Sequence, residues 1–200
     1  MYNYPNKKKI KKQAVETSKD NTSLVGHTRR GMDLEELINQ TNQYYVDNDI
    51  AFIYKKPTPI KVNKISHSNQ FGHSRHKITD AYFSEKSTTD YNGLYKGFYI
   101  DFEAKQTKYK SFNIVSNLHE HQRKHLKNVM RHGGFAFLFV YFYQCDKIYI
   151  IDYSFIDDFI QGGKSQIPLE YFETYGFALK LGFNPALDYL KYIDSIIEKR

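Results

Sequence analysis

Residues 87–108 constrain the fold of this chain most strongly, because they have the pattern of one β-hairpin with charged side chains along it. Apolar and polar residues alternate over 98–105, which is typical of a half-buried strand. Lys96 and Gly97 suit a two-residue turn, since glycine adopts positive φ without steric cost. A turn at this position sets the register of the two strands.

In that register Asp90 lies opposite Glu103, and Thr88 lies opposite Lys105. Two facing carboxylates repel each other unless a cation lies between them. Oxygen ligands on adjacent strands suit Mg²⁺, which keeps several of its waters. The Lys105 ammonium is suited to orient a metal-bound water and to stabilise negative charge at phosphorus. The hairpin therefore predicts phosphodiester hydrolysis, and a solvated strand of alternating charge is the alternative interpretation.

The net charge of +7 is concentrated in three segments around this hairpin. Residues 1–30 contain eight Lys or Arg and two acids, residues 55–77 contain six and no acid, and residues 105–132 contain seven and one acid. Basic surface around a carboxylate cluster favours a nucleic acid as the bound polyanion. Solvated charged faces are the alternative, and for 1–30 the alternative is a disordered tail.

The sequence predicts neither a membrane-spanning segment nor an internal disulfide bond. The sequence has no run of about eighteen apolar residues, and its basic start lacks the apolar segment of a secretory signal. Cys145 is the single cysteine and has no Cys or His partner at zinc spacing, so we predict a structural role in a cytoplasmic protein. Residues 1–28 are predicted to form a disordered basic arm, and residues 29–200 a single nuclease domain.

The first regular element is predicted at residues 33–48, where helical spacing follows the capping-box pattern Asp33-Leu-Glu-Glu36. Glu36 is therefore either the capping carboxylate of this helix or an active-site residue near its start, and both interpretations stay open. Residues 50–55 have the pattern of a strand, which the prolines of the next segment end.

Residues 60–79 predict a protrusion of two twisted strands with its tip near residues 69–74, because they are basic, rich in His and poor in core periodicity. Phe71 and Arg75 near such a tip are suited to stack on exposed bases. A loop that carries a stray aromatic is the alternative interpretation.

After the hairpin, a helix is predicted at residues 116–132, and its histidines favour a polar, DNA-facing surface over a zinc site, since no Cys or acid completes the spacing. The apolar run 135–143 is typical of a central strand buried on both faces. The remaining predicted elements are a partner strand at 147–152, short helices at 154–160 and 168–175, and a terminal helix at 186–198. This order predicts an α/β fold with a mixed sheet.

Several motifs resemble those of the PD-(D/E)XK nuclease core and, more specifically, of the RecU-type Holliday junction resolvases. They are RGM at 30–32, YKKPTP at 54–59, ITDAYF at 78–83, STTDYNG at 87–93, YIDFEAK at 99–105, HEHQ at 119–122 and DYLK at 188–191. The resemblance implies a restriction-endonuclease-like core, in which helices flank a mixed central sheet and a stalk projects from it at about residues 58–82.

The resemblance also implies roles for individual residues. Asp90, Glu103, Thr88 and Gln122 would bind one or two Mg²⁺ ions, which Mn²⁺ could replace, and Lys105 would stabilise the transition state. The implied assembly is a homodimer that nicks strands of like polarity across a four-way DNA junction, in recombination and DNA repair. A recombinase and a branch-migration helicase are the implied protein partners. The predicted DNA contacts are Arg30, Lys56, Phe71, Arg75, Lys77 and Lys108.

Other functions remain open at this point. One is a branch-trimming nuclease without junction selectivity, and another is a non-catalytic junction-binding protein that modulates recombination. The presence of Asp90, Glu103 and Lys105 together favours an enzyme, because a pure DNA binder does not need carboxylates within a basic surface. An RNA-binding module is disfavoured, since the sequence has no RNP-like aromatic pattern.

Overall fold

The computed structural model describes residues 33–70, 73–83 and 88–198, with the side chains of 67–70, 73–76 and 83 excepted. The predicted basic arm, Arg30, Phe71 and the side chain of Arg75 therefore lie outside the described residues.

The described chain folds into both helices and strands. In chain order they are α1 (Leu34–Asp47), β1 (Phe52–Lys55), β2 (Ile60–Gln70), β3 (His73–Phe83), β4 (Tyr91–Tyr95), β5 (Phe98–Thr107), β6 (Ser111–Asn113), α2 (Ile114–Asn117), α3 (Glu120–Arg131), β7 (Phe135–Phe142), β8 (Lys147–Asp152), α4 (Tyr153–Gln161), β9 (Gln166–Pro168), α5 (Leu169–Tyr175), β10 (Phe177–Leu179) and α6 (Leu190–Ile197). No helix among these is long and apolar enough to cross a membrane.

Six strands form one mixed sheet in the order β1-β4-β5-β7-β8-β10. The β5–β7 pair is parallel and the other neighbours are antiparallel. One hydrophobic cluster packs α1 and α6 on one face, and a second packs α3, α4 and α5 on the other. The apolar run in β7 contributes to both clusters, as expected for a central strand. These features confirm the predicted α/β fold with helices on both faces of a mixed sheet.

The β4–β5 hairpin forms in the predicted register. Lys96 and Gly97 have φ values of 49° and 80°, the positive values that a type I′ turn requires. Tyr91 pairs with Phe102, and the register continues to the turn without a shift. Local turn chemistry therefore positions the two strands that carry the predicted carboxylates.

The prediction that β5 is half-buried is wrong. Strand β7 pairs with its free edge, and α3 contacts the face that carries Asp101 and Glu103. Both carboxylates have 0 % relative exposure. Alternation of polar and apolar residues identifies the two faces of a strand, but a polar face that is buried in a hydrogen-bonded network has the same pattern as a solvated one.

Two helix predictions differ from the structure. The helix predicted at 116–132 is divided into α2 and α3, because Leu118 and His119 adopt extended backbone conformations between them. Leu118 is fully buried, so the break inserts its side chain into the second hydrophobic cluster. The terminal helix begins at Leu190 rather than at residue 186, since Leu187 is held instead by a bridge to Leu181.

Strands β2 and β3 form a separate antiparallel two-stranded sheet, as the stalk prediction requires. Their pairing is irregular between Val62 and Ile65. Every described side chain in the two strands is exposed, including that of Lys77. Main-chain pairing, together with side-chain hydrogen bonds such as that from the Thr79 hydroxyl to the Lys64 carbonyl oxygen, therefore joins the two strands without burial of their described side chains.

Gly93 in β4 has no room for a side chain, because a Cβ atom there would lie 2.1 Å from the Phe52 carbonyl oxygen and 2.5 Å from Ile53 Cα. We expect Gly93→Ala to lower the free energy of unfolding by at least about 2 kcal/mol, since the β1 backbone must move. Urea denaturation measures the loss. The matched control is Gly162→Ala, whose Cβ would meet its nearest atom at 3.4 Å, and equal losses in both variants would contradict the prediction.

Candidate active site

Asp90 and Glu103 meet where the β4–β5 ladder ends. The backbone N–H of Asp90 donates to Glu103 Oε2 at 3.0 Å, and the backbone N–H of Ala104 donates to Asp90 Oδ2 at 3.1 Å. Glu103 Oε1 lies 2.5 Å from Lys105 Nζ and accepts a hydrogen bond from Gln122 Nε2 at 2.5 Å. The structure thus brings together two predicted carboxylates, the predicted lysine and the predicted glutamine.

The charge of Glu103 is only partly compensated in this arrangement. Burial and repulsion from Asp90 raise the pKa of Glu103 to about 7, although the Lys105 ammonium lowers it. A buried carboxylate with this pKa gains free energy from an additional cation near neutral pH, which is the electrostatic condition for a metal site.

The elevated pKa has a consequence for stability without divalent ions. The folded-state pKa of about 7 exceeds the usual glutamate pKa of 4.5, so ionisation of Glu103 destabilises the fold progressively as pH rises from 4.5 to 7. Above that window the cost is about 3 kcal/mol. We expect Glu103→Gln to raise the free energy of unfolding more at pH 8 than at pH 5, as measured by urea denaturation in chelator. Glu120→Gln, an exposed acid, is the control, and a gain independent of pH would contradict the prediction.

Gln122 orients Glu103 through a capping box at the start of α3. The Gln122 Oε1 atom accepts from the His119 backbone N–H at 3.0 Å, while the His119 ring accepts from the backbone of Gln122. The side-chain amide therefore directs its N–H, and not its oxygen, toward Glu103. Direct metal ligation by Gln122 stays a prediction, and in this arrangement its amide acts as a donor to a carboxylate.

The oxygen donors at this site suit a hard divalent cation. Asp90 and Glu103 supply carboxylate oxygens, and the exposed Thr88 contributes a hydroxyl two residues from Asp90. Among the described residues, no group of three or more His, Cys, Asp or Glu is arranged to hold a metal. Two carboxylates and a hydroxyl fit Mg²⁺, which retains several waters, better than a four-ligand zinc site.

A second buried carboxylate, Asp101, lies two residues before Glu103 on the same strand. Its Oδ2 atom lies 2.8 Å from each of Lys56 Nζ, His125 Nε2 and the Tyr99 hydroxyl, and its Oδ1 atom accepts from the Thr89 hydroxyl. Burial opposes ionisation, but hydrogen bonds from His125, Lys56 and Thr89 outweigh it and hold the pKa of Asp101 below its usual value.

Sequence reasoning did not identify the Asp101 cluster. The available signal was spacing, because Asp101 shares a strand face with Glu103, and His125 lies one helical turn after Gln122. Lys56 was predicted to contact DNA. In the structure its ammonium is engaged by Asp101, Thr89 and Thr88, and its side chain is only 15 % exposed.

The other described candidates lie around this site or away from it. Lys77 on the stalk and Lys108 after β5 are exposed, and their contacts with DNA stay predictions. The predicted capping box of α1 does not form, because the Asp33 carboxylate accepts from Gln106 instead. Glu36 is exposed, and the neighbouring acid Glu35 is the one that pairs with Lys55.

Comparison with known proteins identifies close relatives over nearly the whole chain. The model of a family described as Recombination protein U matches residues 29–195. A protein of Bacillus cereus is 41 % identical over 197 residues, which cover 96 % of each chain. A protein of Pediococcus pentosaceus is 40 % identical over 98 % of each chain, and one of Streptococcus suis is 39 % identical over 97 % of this chain and 93 % of its own. All three relatives are named Holliday junction resolvase RecU.

Proposed function

The chain belongs to the Recombination protein U (RecU) family, and from this premise we propose that it resolves four-way DNA junctions in recombination and DNA repair. The proposed activity is that of a Mg²⁺-dependent, structure-selective endodeoxyribonuclease. The observation that carries the proposal is the pairing of Asp90 with Glu103 beside the Lys105 ammonium.

Asp90 and Glu103 would hold the metal, and Thr88 would contribute directly or through water. When bound, Mg²⁺ supplies Lewis-acid activation of a phosphoryl oxygen and of the attacking water. Gln122 holds the Glu103 carboxylate in orientation, and the backbone N–H of Ala104 does the same for Asp90. These hydrogen bonds organise the carboxylates before substrate arrives.

Lys105 would act on the phosphate itself. Its ammonium is tethered 2.5 Å from Glu103 Oε1, while about a quarter of its side chain (24 %) remains exposed. A cation held in this way is suited to stabilise the charge that develops as water attacks the phosphodiester. Hydrolysis in this sense breaks the P–O3′ bond and leaves a 5′-phosphate and a 3′-hydroxyl.

The exposed lysines support DNA as the substrate. Lys61, Lys64 and Lys77 lie on the described stalk strands, and Lys108 follows the strand that carries Glu103. Positive charge beside a metal site attracts the phosphate backbone without regard to base sequence. Resolution of one junction needs two symmetric nicks, so we propose a homodimer with one site in each subunit. A recombinase and a branch-migration helicase remain the proposed protein partners.

The test is cleavage of a labelled mobile four-way junction beside a linear duplex of matched sequence, in Mg²⁺, in Mn²⁺ and in chelator. We expect paired symmetric nicks on the junction that chelator abolishes. Cleavage of both substrates at equal rates would instead establish a nuclease without junction selectivity.

One observation favours a second candidate, a non-catalytic junction-binding protein that modulates recombination. Lys105 and Gln122 already bind Glu103, so an ion pair compensates part of the charge of this carboxylate without a metal. Tight binding of the junction without cutting in Mg²⁺ or Mn²⁺ would establish this second function and contradict the first.

A further inference from the structure

The Asp101 carboxylate collects donors from three parts of the chain. Lys56 follows β1, Thr89 lies in the segment before β4, and His125 lies on α3. Tyr99, on the strand of Asp101 itself, completes the set. Asp101 is fully buried, so each of these donors replaces a water that the carboxylate has lost.

These three parts of the chain are also connected to the proposed metal site. Two of them contain a residue of that site, and the third, at Lys56, contacts the segment that contains Asp90. Thr89 directly precedes Asp90, and His125 lies one turn after Gln122 on α3. Lys56 contacts the same segment three times. Its backbone N–H donates to the Asp90 carbonyl oxygen at 2.8 Å, and its Nζ donates to the hydroxyls of Thr89 at 2.5 Å and Thr88 at 3.2 Å.

Global stability is a weak explanation for such a cluster. A buried ion pair loses about as much free energy by desolvation as it gains by attraction, and a well-packed apolar pair would serve as well. The cluster does have a geometric role. Asp90 repels Glu103 electrostatically, so the segment that carries Asp90 must be restrained if the two carboxylates are to stay in contact.

We infer that Asp101 is a positioning residue of the metal site, which uses Lys56, Thr89 and His125 to hold the Asp90 segment and α3 against Glu103. The inference rests on the proposed function. It assigns Lys56 to the interior of the site rather than to DNA, and it gives His125 an orienting role. Asp101 itself does not bind the metal in this account, since all four of its donors already occupy its oxygens.

The test measures Mn²⁺ binding to the full-length chain by electron paramagnetic resonance, without DNA, so that the readout does not depend on turnover. We expect Asp101→Asn to weaken Mn²⁺ binding about 10- to 100-fold, as for other residues that orient metal ligands. The matched control is Asp194→Asn, because Asp194 also accepts from a tyrosine and a lysine (Tyr95 and Lys96), but beside the hairpin turn. Unchanged Mn²⁺ affinity in Asp101→Asn would overturn the inference.

A second pair of variants decides the question if Asp101→Asn does not fold. His125 is on a helix surface and its side chain is 25 % exposed, so substitutions there are tolerated more readily. His125→Gln retains an N–H donor for Asp101 and should keep Mn²⁺ affinity within about threefold, while His125→Leu removes the donor and should lose about tenfold. Equal affinity in the two variants would overturn the inference.

The same measurement separates this inference from the proposed function. If the wild-type chain binds Mn²⁺ and the Asp90→Ala variant does not, the metal site is supported independently of Asp101. Wild-type chain that binds no Mn²⁺ would contradict both, whereas loss in Asp90→Ala without loss in Asp101→Asn or His125→Leu would contradict the inference alone.

Discussion

Glu103→Ala is expected to abolish junction cleavage, with a fall in rate of at least about 1,000-fold, because the substitution removes a carboxylate that the proposed metal requires. Asp90→Ala should have the same effect. Binding of the junction in Ca²⁺ or chelator should persist, since the exposed lysines and not these two acids supply attraction to phosphate. Gel electrophoresis of end-labelled junctions measures cleavage, and a mobility shift measures binding.

The matched control for this experiment is Glu120→Ala. Glu120 is an exposed acid at the start of α3 that pairs with Lys124, so its loss removes the same charge without touching Glu103. Cleavage should stay within about twofold of wild type in this variant, as for surface ion pairs in general. Mg²⁺-dependent nicking that survives in Glu103→Ala would remove the basis of the proposed mechanism.

Lys105→Met should lower the turnover number by about 100- to 1,000-fold while the junction affinity changes little. A fixed cation at developing negative charge contributes about 3 to 4 kcal/mol to the transition state, and methionine keeps the length of the side chain without the charge. Single-turnover cleavage with enzyme in excess over labelled junction measures the chemical step without interference from product release.

Lys105 also affects the ionisation of Glu103, and the Lys105→Met variant must be tested for this second effect. Its ammonium lowers the pKa of Glu103, so its removal should raise that pKa further and require a higher pH for ionisation of the carboxylate. The single-turnover cleavage rates of wild type and Lys105→Met are therefore compared from pH 7 to 9. Full recovery of turnover at high pH would assign Lys105 to the ionisation of Glu103 and would contradict stabilisation of the transition state. Lys108→Met, an exposed lysine on the predicted DNA surface, is the control and should change affinity rather than turnover.

Much of the fold could be predicted because its signals are local. The turn at Lys96 and Gly97 needs positive φ, and the sequence supplies a glycine there. The apolar run in β7 and the helical spacing in α1 reflect burial along a single element. Elements with weak signals were missed, and these are the three-residue strands β6, β9 and β10, whose few residues have no resolvable period.

Other errors arose where a local pattern competed with packing. The pattern around Asp33 and Glu36 is that of a capping box, yet Gln106 from the end of β5 takes the Asp33 carboxylate. The periodicity of residues 116–132 continues through Leu118, yet burial of that side chain separates two helices. In both cases a contact between distant segments outweighed a helical preference that is worth only about 1 kcal/mol.

The sequence was sufficient to set the hairpin register that brings Asp90 beside Glu103, because backbone alternation and turn geometry depend on neighbouring residues alone. It was not sufficient to show that these groups are buried or which partners neutralise them. Gln122 reaches Glu103 across 19 positions, and Lys56 reaches Asp101 across 45. Desolvation and ion pairing depend on distances through space, so these partners were settled when α3 and the end of β1 packed against β5.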